Sequence, residues 1–266
     1  AFDWPTLPDV LEAAGLSRRI YQDPNDNWTG AMHGGLAFAS FREAKRGSPN
    51  YENGMSHWSL ENLTRDVKNG TLPAVSWVLP PREFSEHPGG PSSPQKGSNF
   101  TEKVLNALTS NEEVWSKTVF FLTFDENDGL FDHLPPPAVP SYNADGTLAG
   151  ASTLPLDGEY LSDPARAHLK EEDTISGTVR PFGLSARVPM YIVSPWSKGG
   201  WVSSEVFDHT SLAMFLEKRF DLTVPSISPW HRAVCGDLTS AFDFSAHEST
   251  DLTQLPDTSR YALTDA

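Results

Sequence analysis

The stretch Thr118-Val119-Phe120-Phe121-Leu122-Thr123-Phe124 is apolar or β-branched throughout, with Thr123 its one polar step after the opening Thr118, and it runs straight into Asp125-Glu126-Asn127-Asp128-Gly129. A short apolar run without alternation reads as a strand covered on both faces, the kind found in parallel sheets flanked by helices. Ala74 to Leu79 has the same character and is stopped by Pro80 and Pro81, and Val188 to Val193 is a third such run. Arg18 to Gln22 is a shorter strand candidate. Helical patterns fall between them. Leu7, Val10 and Leu11 form a stripe between Pro5 and Gly15, and Leu36 to Ala44 reads as a short helix. Leu60 to Asn69 lies between a Ser59 cap and Gly70, and Thr101 to Leu108 carries Val104, Leu105 and Leu108 on one face. A further helix opens at Asp208 and runs to about Arg219, with Leu212, Phe215 and Leu216 facing inward. Residues 81–98 read as a loop, residues 134–180 as a long irregular excursion, and the last stretch as loop-rich. This alternation predicts an α/β fold, a mainly parallel sheet flanked by helices, as one domain over residues 1–266. Ligands of such sheets bind at the carboxyl ends of the strands.

The 266 residues can bury a sizeable core, and the net charge of −15 bounds the partners. With no basic stripe to neutralise phosphates, nucleic acid is excluded as a partner, and electrostatic docking on anionic lipid is disfavoured. A zwitterionic or neutral substrate is compatible with the charge. Cys235 is the one cysteine, so no disulfide forms within the chain. No apolar run approaches the roughly 20 residues of a membrane span. Asn-x-Ser/Thr acceptors stand at Asn27, Asn62, Asn69 and Asn99. No Gly-x-Ser-x-Gly elbow, P-loop or dinucleotide fingerprint is present.

Placed at a strand's carboxyl end, Asp125 and Glu126 are hard oxygen ligands suited to a divalent cation, which would relieve their mutual repulsion. Gly129 permits the sharp turn behind them. Asp132 and His133 follow shortly. The alternative for this block is an acidic surface turn. His87, in Ser85-Glu86-His87-Pro88-Gly89-Gly90, follows the strand ending at Leu79 and could donate to a phosphoryl oxygen or protonate a leaving group; the alternative is an exposed bystander. Asp208-His209-Thr210-Ser211 opens a helix whose N-terminus could hold phosphate, although capping alone accounts for Asp208. His33, His57, His168, His231 and His247 have no partner at ligand spacing and stay unassigned.

The block Thr123-Phe124-Asp125-Glu126-Asn127-Asp128-Gly129-Leu130-Phe131-Asp132-His133-Leu134-Pro135-Pro136-Pro137 resembles the signature of the bacterial phosphocholine-preferring phospholipases C and of a related acid phosphatase in the same phosphoesterase family. Val75-Ser76-Trp77-Val78, Ser85-Glu86-His87-Pro88-Gly89, Phe207-Asp208-His209-Thr210-Ser211 and Ala233-Val234-Cys235-Gly236-Asp237-Leu238-Thr239-Ser240 agree with it. The resemblance implies an alkaline-phosphatase-like sheet, a divalent metal of unspecified identity held by Asp125 and Glu126, and a serine or threonine nucleophile that is transiently phosphorylated. By the same resemblance His87 and His133 are the candidate catalytic residues, and Asp132 and His209 the candidate substrate contacts. The implied substrate is a phospholipid or another phosphate ester. Phospholipase C chemistry is the leading expectation; an acid phosphatase and a non-catalytic fragment without the nucleophile are the alternatives. The family's amino-terminal Glu-Asn-Arg-Ser-Phe-Asp-His type motif is not found. The chain therefore reads as the carboxyl-terminal part of a catalytic domain, with the amino-terminal part as an expected partner and a secreted or periplasmic location.

Overall fold

The computed structural model describes residues 2–26, 33–143, 145–161, 180–245 and 255–263. Asn27, His168 and His247 lie outside the described residues. The chain divides into two compact units. The first comprises Ala1–Phe121, Ile192–Trp201 and Asp243–Ala266, and the second Leu122–Tyr191 and Val202–Phe242.

In the first unit, helix α1 (Leu7–Ala13) is capped by Thr6 and starts two residues beyond the expected Pro5. Thr6 Oγ1 accepts from the Asp9 amide while the Asp9 carboxylate accepts from the Thr6 amide, a reciprocal capping box that fixes the start. Strand β1 (Arg18–Tyr21) pairs in parallel with β2 (Val75–Val78), Arg18 opposite Val75 and Tyr21 opposite Val78. A short helix, α2 (Ala39–Arg42), and a π-helical turn over Tyr51–Met55 fill the crossover, followed by α3 (Leu60–Lys68). Ser59 and Asn62 form the capping box of α3, and Gly70 turns out of it at φ +67°. Tyr21, Leu63, Val67, Val104, Ala107, Leu108 and Trp115 make one buried cluster, which ties β1 and α3 to α4 (Pro94–Leu108) and α5 (Glu112–Trp115). The Tyr21 hydroxyl donates to Asp66 at 2.9 Å inside it, and burial pushes that phenol's pKa up.

Helix α4 corrects the expected loop over residues 81–98: it begins at Pro94 rather than Thr101. Ser93 caps it by accepting from the Lys96 amide, and Pro94 occupies the first position, where its missing N–H costs nothing. Polar composition conceals this first part from periodicity, yet Lys96, Gly97 and Asn99 are buried. Asn99 Nδ2 donates to the Thr258 carbonyl at 3.2 Å, so this residue is no glycan acceptor in the folded chain.

In the second unit, β4 (Tyr160–Leu161) pairs antiparallel with β5 (Arg180–Pro181) within the excursion expected to be irregular. Helix α6 (His209–Phe220) extends one residue past the expected end and stops where Asp221 adopts a left-handed conformation at φ 53°. It buries Ser211, Ala213, Met214 and Phe215, so its inward face is rotated from the expected Leu212–Leu216 stripe. Helix α7 (Pro229–Val234), capped by Ser228, lies in the region read as loop-rich.

Strand β3 (Phe120–Thr123) pairs with β6 (Met190–Val193), and the Thr123 hydroxyl donates to the Pro189 carbonyl at 3.2 Å. Strands and helices alternate as an α/β chain should. The described strands form three two-stranded pairs rather than one broad sheet. Strands β2 and β3 are half-buried along their length, whereas β1 is almost fully buried.

Candidate active site

Strand β3 ends at Thr123, and the chain leaves it exposing Asp125 and Glu126 side by side. Asp125 Oδ1 accepts from the Glu126 amide at 3.1 Å. A tight turn follows, in which the Leu130 amide donates to the Asn127 carbonyl at 2.8 Å. Its two central residues, Asp128 (φ 50°) and Gly129 (φ 78°), both have positive φ, the signature of a primed turn. Asn127 Nδ2 donates to the Leu130 carbonyl at 2.6 Å and closes the turn a second time. Among the described residues no lysine, arginine or histidine forms an ion pair with Asp125 or Glu126. Two adjacent, uncompensated carboxylates are the donor chemistry a hard divalent cation requires.

Asp132 and His133, which follow the turn, are tied to one another and to Arg187. The guanidinium of Arg187 holds the Asp132 carboxylate through Nε at 2.8 Å and through Nη2, and this keeps the Asp132 pKa below the usual carboxylate range. His133 Nδ1 lies 2.9 Å from the other Asp132 oxygen, and its side chain is 93% exposed. His209, the first residue of α6, places Nε2 3.1 Å from the Asp125 carbonyl oxygen. The fold thus brings together residues 84 apart in sequence. The contact is with the backbone of the acidic pair, which His209 positions.

His87 belongs to the first unit. Its loop is built by Glu86, a non-glycine residue at φ 66°, whose amide donates to Ser92 Oγ at 2.7 Å. The Glu86 side chain lies over Gly97 of α4; a Cβ there would come within 1.9 Å of Glu86 Oε1. Burial raises the Glu86 pKa. The His87 amide donates to Ser85 Oγ at 3.3 Å, and the imidazole is half-buried rather than an exposed bystander.

The phosphoesterase family model matches residues 1–223. The chain belongs to the phosphoesterase family. It is 51% identical over 97% of its length to the non-hemolytic phospholipase C of Pseudomonas aeruginosa, and 44% identical over 99% to that of Burkholderia pseudomallei. It is 42% identical over 96% of its length to the hemolytic phospholipase C of Pseudomonas aeruginosa. The chain spans 36%, 39% and 35% of those three relatives.

One group of this phosphoesterase chain escapes sequence reading. Asp208 caps α6, as expected, with Oδ1 accepting from the Thr210 and Ser211 amides at 2.9 and 3.1 Å. Its other oxygen, Oδ2, lies 2.6 Å from His231 Nδ1 on α7, and His231 Nε2 lies 3.4 Å from the buried Glu159 carboxylate. His231, left unassigned from sequence because no ligand stands near it in the chain, is therefore held between two acids. The nearest signal was its four-residue spacing from Cys235, which helical geometry puts on one face. Of the other unassigned histidines, His33 Nε2 donates to the Gly54 carbonyl at 2.6 Å, and His57 Nδ1 stands 3.9 Å from Asp23.

Proposed function

We propose that this chain is part of an enzyme that hydrolyses phosphatidylcholine-type phosphodiesters to diacylglycerol and phosphocholine. The observation that carries this is the uncompensated acidic pair at the end of β3, in a family member 51% identical to a phospholipase C. Asp125 and Glu126 would hold a divalent cation, which when bound supplies charge neutralisation at the phosphoryl oxygens. His209 positions Asp125 through its backbone. Asp132 and Arg187 hold the loop that carries His133. His133, exposed beside Asp132, is a candidate to move a proton, and His87 is the second candidate to protonate the leaving diacylglycerol oxygen. In the net reaction one water adds across the P–O bond. Its hydroxyl ends on phosphorus and its proton on the alkoxide of diacylglycerol.

Leu130 (76% exposed) and Phe131 (83% exposed) follow the acidic pair in the same loop and favour a substrate with apolar chains over a small phosphomonoester. The alkaline-phosphatase-like sheet and a secreted or periplasmic location belong to the same proposal. No helix among the described residues is long and apolar enough to cross a membrane. The deciding experiment is a side-by-side assay of phosphocholine release from phosphatidylcholine vesicles and of p-nitrophenyl phosphate hydrolysis, in wild type and Asp125→Ala. Preference for the lipid, lost in the variant, supports the reading. Preference for the monoester assigns the chain to an acid phosphatase, and unchanged activity in Asp125→Ala removes the acidic pair from the mechanism.

A further inference from the structure

We propose that Asp208, His231 and Cys235 form a second cation site, of the zinc class, with Glu159 orienting His231 from behind. Each of the three offers one ligand atom, and these atoms lie within 4.8 Å of one another. The backbone fixes all three. Asp208 is the N-cap of α6 and spends Oδ1 on the helix amides, which leaves Oδ2 facing the cluster. The His231 amide donates to the Ser228 cap at 3.1 Å, and the Cys235 amide donates to the His231 carbonyl at 2.9 Å. Cys235, the residue that ends α7, therefore follows His231 by one helical turn.

Glu159 is the independent observation. It is 2% exposed, and its carboxylate faces His231 Nε2 at 3.4 Å. A neutral imidazole has one N–H and can satisfy one of the two acids, not both. Among the described residues no lysine or arginine pairs with Glu159 or Asp208; Lys218 and Arg232 pair instead with Asp237 and Glu217. A cation on the Nδ1 side resolves this. It places the ring proton on Nε2, facing Glu159, in the carboxylate–histidine–metal arrangement typical of bound metals. The donors are one nitrogen, one sulfur and one oxygen, which suits zinc rather than magnesium or calcium. On binding, the Cys235 thiol gives its proton to solvent as the metal–sulfur bond forms, and the Asp208–His231 hydrogen bond is replaced by two metal bonds. The site would join the start of α6, the end of α7 and the segment entering β4.

The test uses the purified protein stripped of metal and then given Co²⁺ alone or Zn²⁺ alone. Cys235 is the chain's one thiol, so a saturable thiolate-to-cobalt charge-transfer absorption reports this site directly, without any variant. The absorption is expected in wild type and in Asp125→Ala, and Zn²⁺ should displace it. In Glu159→Gln it is expected to persist with roughly 10- to 100-fold weaker Co²⁺ affinity. In Cys235→Ser, checked for folding by circular dichroism, it should vanish. A wild-type protein that shows no charge-transfer absorption overturns the proposal and leaves His231 as an ion-pair partner of the two acids, as does a folded Asp125→Ala/Cys235→Ser double variant that binds Zn²⁺ as tightly as Asp125→Ala.

Discussion

The second unit carries two sets of carboxylates that solve the same electrostatic problem in opposite ways. Asp125 and Glu126 stand exposed at the end of β3, in no ion pair among the described residues, and water can solvate them. Glu159 is almost fully buried and Asp208 half-buried, and His231 lies between them at 3.4 and 2.6 Å. A carboxylate in water can wait for a ligand, whereas a carboxylate out of water needs its partner built into the fold. The exposed pair is therefore open to solvent and ligand, whereas the buried set is held in place by the fold.

The largest expected effect breaks the comparison on the functional side. Asp125→Ala should lower the rate of phosphodiester hydrolysis by at least roughly a hundred-fold. Because Asp125 is exposed, the same substitution should leave unfolding stability within about 0.5 kcal/mol of wild type. Steady-state kinetics and urea denaturation on one preparation check both halves. The reverse pattern is expected at His231. His231→Ala strands the Glu159 carboxylate without its partner and should destabilise the protein by about 3 kcal/mol, read as a fall in the urea midpoint.

Glu86 sharpens the same contrast in the first unit, since burial raises its pKa. A carboxyl whose folded pKa is raised contributes stability at low pH and loses it as pH rises through that value. Glu86→Gln should therefore stabilise the protein at neutral pH, with the gain shrinking as pH falls towards 4.5, followed by chemical denaturation across that range. The smallest effect is expected at Asp132, exposed but paired with Arg187, where the pKa is lowered. Its contribution is present above the usual carboxylate value and fades as pH falls below it. Arg187→Ala should move the Asp132 titration midpoint up towards 3.8, measured by carboxyl NMR.

Much of the candidate site was legible because its parts are contiguous. The apolar run before Asp125, the glycine at a left-handed turn position and the Ser59 and Asp208 caps are local patterns with local causes, and the structure has each where the chain suggested. The start of α4 was not legible. Lys96 pairs with Glu83 across the loop and Asn99 bonds to Thr258, which no window of sequence around Pro94 contains. The breadth of the sheet was misread for a related reason. Apolar runs mark strands, but how many strands share one ladder depends on pairings between distant segments.

The sequence by itself determined the strand-end acidic block, the caps and the membership in the phosphoesterase family, because those depend on residue types at fixed short spacings. Only the tertiary structure decided that His209 touches the Asp125 backbone, that Arg187 holds Asp132, and that Asp208, His231 and Glu159 meet. Those contacts span 84, 55 and 23 residues of chain. At that range no local propensity acts, and packing alone sets which side chains face one another.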